Sequence, residues 1–276
     1  MTVSVPSLVF PQPPTFIGHR GLGKGTVRGH RENTLGSFLS ALDHGVDWLE
    51  VDVRRTLDDE LMVAHNAAFS DGRFLIDMTA AEAVRRVLGL SELLEALPPD
   101  AGVAFDVKSS MEDAAQTPSR TTAGLLAQVA QRELNRRPLV ALSFDPGVLR
   151  HLRDLVPGLP LGLTTWLHYP VGHAVAAAAH LDVQLLAIHA GSLWPNDVSP
   201  ATEFRPLEQI VSRVHDSQRQ LVVWCPTGEQ GRLLLAAGAD ALVVDDVPVL
   251  VPTLRNGQHD RTPVPPAASV AQAHRP

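Results

Sequence analysis

The chain has 276 residues, 45% hydrophobic and 19% charged, with 23 Lys plus Arg against 30 Asp plus Glu and a net charge of −7. This composition supports one large core and excludes wholesale disorder. The acidic balance argues against a nucleic-acid partner, whose phosphates require a basic surface. A single cysteine, Cys225, excludes an intramolecular disulfide framework and suits a reducing compartment. No apolar run approaches the roughly 20 residues of a membrane helix. Met1–Thr15 has no cationic start ahead of an apolar stretch, so no signal peptide is expected. The expectation is a cytoplasmic protein with no transmembrane segment.

Short β-branched runs alternate with alanine- and leucine-rich segments. Strands are predicted at Phe16–His19, Trp48–Arg54, Gly102–Lys108, Leu139–Phe144, Leu161–Trp166, Val183–His189, Gln220–Cys225 and Ala241–Asp245, with a short run Leu61–His65 paired with or continuing the second. Helices are predicted at about 33–44, 91–97, 121–134, 146–155, 171–181, 207–217 and 229–237. Strands separated by helices of ten or so residues imply right-handed parallel crossovers. About eight such units in this length predict a single-domain α/β TIM (β/α)8 barrel. A doubly wound sheet fits less well, because no G-x-G-x-x-G joins the first strand to its helix. The barrel is expected over residues 16–252, after an N-terminal extension (1–15) and before a flexible, proline-rich tail (253–276).

TIM-barrel chemistry sits at the C-terminal ends of the strands, and polar residues gather there. In Leu49-Glu50-Val51-Asp52-Val53 the period of two puts Glu50 and Asp52 on one face. Two such carboxylates need a bridging cation, a proton or a basic partner, and a structural ion pair with Arg54 or Arg20 is the plain alternative. Oxygen ligands of this kind suit Ca²⁺ or Mg²⁺. Asp106 and Lys108 share a face in the same way, and Lys108 is one of only two lysines in the chain. Asp106 could complete a three-carboxylate site, leaving Lys108 for a phosphate oxygen; a simple salt bridge is the other option. His19 and Arg20 close the first strand, and His65 closes the short run. Arginine suits bidentate phosphate recognition, and histidine can move protons near neutral pH. His189, ending the sixth strand, is an undecided pocket residue; other histidines fall in loops or helices.

Gly18-His19-Arg20-Gly21, Glu32-Asn33-Thr34, Glu50-Val51-Asp52 and Val63-Ala64-His65 occur in that order. Together they closely resemble the glycerophosphodiester phosphodiesterase family. The resemblance continues through Asp106-Val107-Lys108, Ser143-Phe144-Asp145-Pro146, Trp224, Gly238-Ala239-Asp240 and Asp245-Asp246-Val247-Pro248, covering about residues 16–252. It implies hydrolysis of glycerophosphodiesters to sn-glycerol 3-phosphate and an alcohol, a small-molecule substrate, a place in lipid and glycerol metabolism, and a divalent metal (Ca²⁺ or Mg²⁺, with Mn²⁺ as a further candidate). It implies metal binding by Glu50, Asp52 and Asp106, with Glu32 as an additional candidate ligand. It implies catalytic His19 and His65, and substrate contacts from Arg20, Lys108 and Trp224. His19 is expected as base and His65 as acid.

Three positions depart from the family pattern. Asp106 replaces a usual glutamate, Asn66 follows His65 where an aspartate is usual, and Thr227 stands where asparagine is common. The basic loop Leu22–Arg31 is either a solvated loop or a lip over an anionic substrate. Two other functions fit the same residues. One is phospholipase D-type hydrolysis of lysophospholipids or sphingomyelin, for which related barrels use an aspartate as third ligand. The other is a barrel that binds phosphate or metal without turnover. Comparing glycerophosphocholine with lysophosphatidylcholine separates the first, and ligand binding without product marks the second.

Overall fold

The structure, a computed structural model, describes residues 8–195 and 204–259. Eight parallel strands close into a barrel: β1 (Thr15–His19), β2 (Trp48–Arg55), β3 (Gly102–Val107), β4 (Leu139–Ser143), β5 (Leu161–Thr164), β6 (Leu185–His189), β7 (Gln220–Trp224) and β8 (Ala241–Val244). Each strand pairs with the next, and β1 pairs with both β2 and β8, which completes the ring. Helices α1 (Leu35–Asp43), α2 (Leu90–Ala96), α3 (Thr122–Glu133), α4 (Pro146–Leu155), α5 (Val171–His180), α6 (Leu207–Asp216), α7 (Gly228–Ala237) and α8 (Val247–His259) follow the strands in turn. The short run after β2, Leu61–Val63, pairs antiparallel with it. The expected TIM barrel is therefore the observed fold.

Strand alternation sorts the side chains as pleating requires. Leu49, Val51 and Val53 of β2 pack outward into the layer beneath the helices, joined by Val103, Phe105 and Val107 of β3. The inward residues Ile17, Trp48, Ala104, Val140, Leu185, Ala187 and Val222 fill the barrel interior. Gly102 is needed at its position because a Cβ there would collide with the Trp48 indole. Capping ends are written locally: Thr34, Thr121, Asp145 and Thr227 each accept a backbone N–H from the first turn of α1, α3, α4 and α7. Thr227 thus closes a capping box with Gln230.

The C-terminal boundary read in sequence falls inside a helix. Helix α8 continues to His259, so the tail expected from residue 253 begins inside a helix whose Val251 and Leu254 are buried against the barrel. Pro252 lies inside this helix. Residues 260–276 of that tail, and residues 1–7 of the extension, lie outside the described residues. The rest of the extension plugs the N-terminal mouth of the barrel. Phe10 is 1% exposed, meets Trp48 edge-on at 5.2 Å, and is tied to Gln220 by hydrogen bonds of 3.0 and 2.9 Å.

Removing this plug should open a cavity at the barrel floor. Phe10→Ala is expected to cost about 3–5 kcal/mol and to lower the thermal midpoint by several degrees, read by calorimetry. An unchanged midpoint would mean that the plug is dispensable.

Candidate active site

The C-terminal mouth of the barrel is built by the ends of β1–β3 on one side and β4–β8 on the other. The chain turns sharply after His19: Arg20 has φ +53° and Gly21 φ +93°. A Cβ on Gly21 would collide with Ser37 of α1, which explains the glycine of the His-Arg-Gly motif. The turn brings the Arg20 backbone N–H to Glu50 Oε2 at 3.0 Å. The Arg20 guanidinium reaches Glu32 at 3.0 Å and Asp52 at 3.3 Å. Asn33, also left-handed at φ +57°, donates to Asp52 at 2.9 Å, while Thr34 caps α1. Glu-Asn-Thr is thus a clamp on Arg20 and Asp52.

Glu50, Asp52 and Asp106 bring their carboxylate oxygens within 4.8 Å of one another, and all three side chains are buried. Asp52 and Asp106 face each other in the strand register, so the shorter aspartate still reaches the group. Lys108 bridges these two, 3.0 Å from Asp52 and in close contact with Asp106. Glu32 stays outside the trio, bound to Arg20 and the backbone N–H of Gly25.

His19 Nδ1 lies 2.8 Å from Asp245 at the end of β8, and its Nε2 is 3.9 Å from Glu50. In sequence Asp245 belongs to the Asp245-Asp246-Val247-Pro248 stretch of the resemblance without a role of its own; the pairing of β8 with β1 is what brings it to His19. Cys225 Sγ stands 3.5 Å from the same ring. His65 lies against Asn66, with Nδ1 2.8 Å from its Oδ1, and its backbone carbonyl accepts from Arg54 Nε. His19, Arg20, Glu50, His65, Asp106 and Lys108 all line one cavity of about 280 Å³. Arg54, Phe144, Thr164, Trp166 and Trp224 complete much of its wall. His189 packs its ring edge-on to Trp224 at 4.3 Å and accepts from the Gly191 N–H. The basic loop folds as a small antiparallel hairpin, Thr26–Val27 against His30–Arg31, with its charged tips exposed.

Crowding these charges out of water splits their protonation. Burial, and then neighbouring Asp52, pushes Glu50 up to about 8. Burial opposes ionisation of Asp52 too, but Lys108, Arg20 and the Asn33 hydrogen bond outweigh it and bring the group down to about 2. Asp106 is raised by burial against the pull of Lys108. Burial works against a charged His19, yet Asp245, Cys225 and Glu50 raise it well above its ordinary value. His65 is lowered, mainly by burial.

The donor set fits a divalent ion. Three carboxylates converge, Asp106 keeps one buried oxygen without a hydrogen-bond partner, and the burial of two carboxyls raised above their usual range is relieved by a cation.

A TIM barrel with converging carboxylates, two histidines and two or three cations at its C-terminal mouth has the layout of an enzyme for anionic substrates. A family model for the glycerophosphoryl diester phosphodiesterase family matches residues 19–249, and the chain belongs to that family of hydrolases. It is 25% identical over 261 residues to a glycerophosphodiester phosphodiesterase of Caldanaerobacter subterraneus, covering 87% of this chain and 98% of that one. Among solved structures, the Oleispira antarctica phosphodiesterase in complex with the product sn-glycerol 3-phosphate superposes with a TM-score of 0.70 at 20% identity, covering 88% of this chain and 97% of that one. A glycerophosphodiester phosphodiesterase of Thermotoga maritima gives 0.67 at 19% identity, covering 87% and 98%. Among the described residues, no helix is long and apolar enough to cross a membrane.

The carboxyl cluster sets a pH dependence for the metal-free protein. Glu50 titrates near 4.5 when unfolded and at about 8 when folded, so the stability from keeping it protonated is complete below 4.5 and is lost as pH rises to about 8. The raised His19 acts in the same direction, its contribution being lost above 6.5. The melting temperature of chelator-treated protein should therefore fall between pH 6 and pH 9. Added Ca²⁺ or Mg²⁺ should raise it most at the alkaline end, where the ligands ionise. A midpoint that climbs with pH without metal would contradict this electrostatic picture.

Proposed function

We propose that this protein hydrolyses glycerophosphodiesters to sn-glycerol 3-phosphate and an alcohol. The observation that carries the reading is the convergence of His19, His65, Glu50 and Asp106 on one cavity with Arg20 and Lys108, with Asp52 buried against the other two carboxylates. The family membership and the product-bound relative from Oleispira antarctica support it.

A phosphodiester anion resists attack, so the site must neutralise charge and deliver a proton to the departing alkoxide. Glu50, Asp52 and Asp106 would hold a divalent ion, of the Ca²⁺, Mg²⁺ or Mn²⁺ class. When bound, that ion supplies Lewis-acid polarisation of a phosphate oxygen. Arg20 and Lys108 hold the remaining oxygens as charge builds in the transition state. Trp224 forms the opposite, aromatic wall for the substrate.

The hydrogen-bond partners of the two histidines favour the reverse of the assignment expected from sequence. Asp245 holds His19 at Nδ1 and supports its imidazolium form, leaving Nε2 to donate to the leaving oxygen. His65 has only neutral Asn66 at Nδ1, which fixes the tautomer without stabilising a positive charge. Its Nε2 is then free to take a proton from water or from a substrate hydroxyl. The Asn66 departure from the family pattern thus removes the carboxylate that would bias His65 towards the charged form.

A second reading, phospholipase D-type action on lysophospholipids, draws on one observation: Trp166 and Leu167 are 64% and 46% exposed beside the cavity. These side chains could meet an acyl chain. The two readings differ in which substrate is turned over.

Purified protein should release sn-glycerol 3-phosphate from glycerophosphocholine, lose the activity with EDTA and regain it with Ca²⁺, Mg²⁺ or Mn²⁺. Glu50→Ala should abolish turnover. His19→Ala and His65→Ala should each lower kcat by about 10²–10⁴ while substrate binding is largely kept. Near-wild-type rates in both histidine variants would sink the mechanism, and exclusive activity on lysophosphatidylcholine would favour the second reading. Ligand binding without turnover of either substrate would mark a non-catalytic barrel.

Asp245→Asn should keep the fold but lose the ionic support of His19. We expect kcat to drop by about 10²-fold or more, by analogy with the loss seen when an orienting aspartate is neutralised, with KM little changed. Equal activity in aspartate and asparagine forms would remove Asp245 from the mechanism.

A further inference from the structure

The cavity has two chemically different sides. The cations Arg20, Arg54 and Lys108, with the carboxylates Glu50 and Asp106, come from β1, β2 and β3 and the turns that follow them. They fix where the phosphoryl group and any metal-directed hydroxyl must sit. The far side comes from β4 to β7, diametrically across the barrel. There, Thr164 at the end of β5 faces Ala187 of β6 in the strand register, and Trp224 ends β7. Thr164, the small Ala187 and Trp224 line a niche of the cavity together.

That niche has hydrogen-bonding groups with nothing to bond. Thr164 is 7% exposed and its Oγ1 is buried without a partner, as is Trp224 Nε1. Buried hydroxyl and indole N–H groups are nearly always paired, so two orphans on the wall of one cavity point to a ligand that pairs them. Phe144 and Trp166 stack at 4.1 Å, and Phe144 meets Trp224 edge-on at 6.0 Å. The niche therefore offers aromatic faces beside two polar groups.

We propose that this niche binds the alcohol half of the substrate, the group released on hydrolysis, and that it selects a neutral, hydroxyl-bearing alcohol. A substrate hydroxyl accepts from Trp224 Nε1, and the same or an adjacent hydroxyl pairs with Thr164 Oγ1, while C–H groups lie on the aromatic faces. A quaternary ammonium headgroup could also rest on the rings. It cannot accept a hydrogen bond, however, and would bury both donors unpaired, which sites of this kind discriminate against. Glycerol or inositol headgroups are the class that satisfies both demands. This inference rests on the proposed phosphodiesterase reading and goes beyond it by naming the headgroup class and Thr164 as its specificity determinant.

The test uses the full chain with its activating ion and four substrates: glycerophosphoglycerol, glycerophosphoinositol, glycerophosphocholine and bis(p-nitrophenyl) phosphate, which has no hydroxyl. Thr164→Val and Trp224→Phe should each raise KM for the two polyol substrates by about 5- to 10-fold, the equivalent of one hydrogen bond. Thr164→Val should change KM for the other two substrates less than about twofold. Thr164→Ser should restore wild-type values. A rise shared by all four substrates, or by all three glycerophosphodiesters, would overturn the proposal, as would no change in any. Should the wild type turn over none of them, the phosphodiesterase reading fails separately. The niche is then judged by calorimetric binding of glycerophosphoinositol, where equal affinity in wild type and Thr164→Val would overturn it.

Discussion

The structure is organised around the cost of burying three carboxylates side by side. Glu50, Asp52 and Asp106 lie within 4.8 Å of each other, largely out of water, where like charges repel strongly. Each surrounding feature answers that repulsion. Lys108 bridges Asp52 and Asp106, and Arg20 presents its guanidinium to Asp52 and its backbone N–H to Glu50. Asn33 adds a donor to Asp52. What compensation remains is missing at Glu50 and Asp106, the two carboxyls pushed above their usual range, which is where a divalent cation relieves most.

The same demand shapes the backbone. Arg20 and Asn33 both take left-handed conformations that non-glycine residues rarely adopt. The first aims an N–H at Glu50 and the second aims an amide at Asp52. Strain of this sort persists where the surroundings over-determine it, and here the packing of Gly21 onto α1 and the cap at Thr34 hold the loop in place. Motif residues that look like a list in sequence thus form one mechanical unit around the acidic group.

Beyond the charged half, the barrel presents a wall of different character. Phe144, Trp166 and Trp224 form an aromatic face interrupted by the unpartnered Thr164 and indole groups. The proposed chemistry divides accordingly, with charge neutralisation and proton transfer on the β1–β3 side and recognition of the departing alcohol opposite. Parallel strands make this division possible, because all eight deliver their C-terminal residues to one rim. Chemistry and specificity can then be set on separate arcs.

Much of this was legible in the chain alone. Hydrophobic periodicity gave eight strands and their helices because burial on both faces of a parallel barrel leaves continuous apolar runs. The period of two placed Glu50 with Asp52, and Asp106 with Lys108, on the inward face. The ordered motifs named the family and brought His19, His65, Arg20 and Trp224 into view. What sequence could not decide were pairings between residues far apart in the chain. Asp245 lies 226 residues from His19, and the Phe10 plug meets Gln220 across 210. Only the fold shows that Glu32 bonds to Arg20 and the Gly25 N–H, and that Thr227 caps α7. Thr164 carried no motif at all. Local sequence determines which face a side chain takes, but only closure of the barrel decides which side chains meet there and which buried groups are left without a partner.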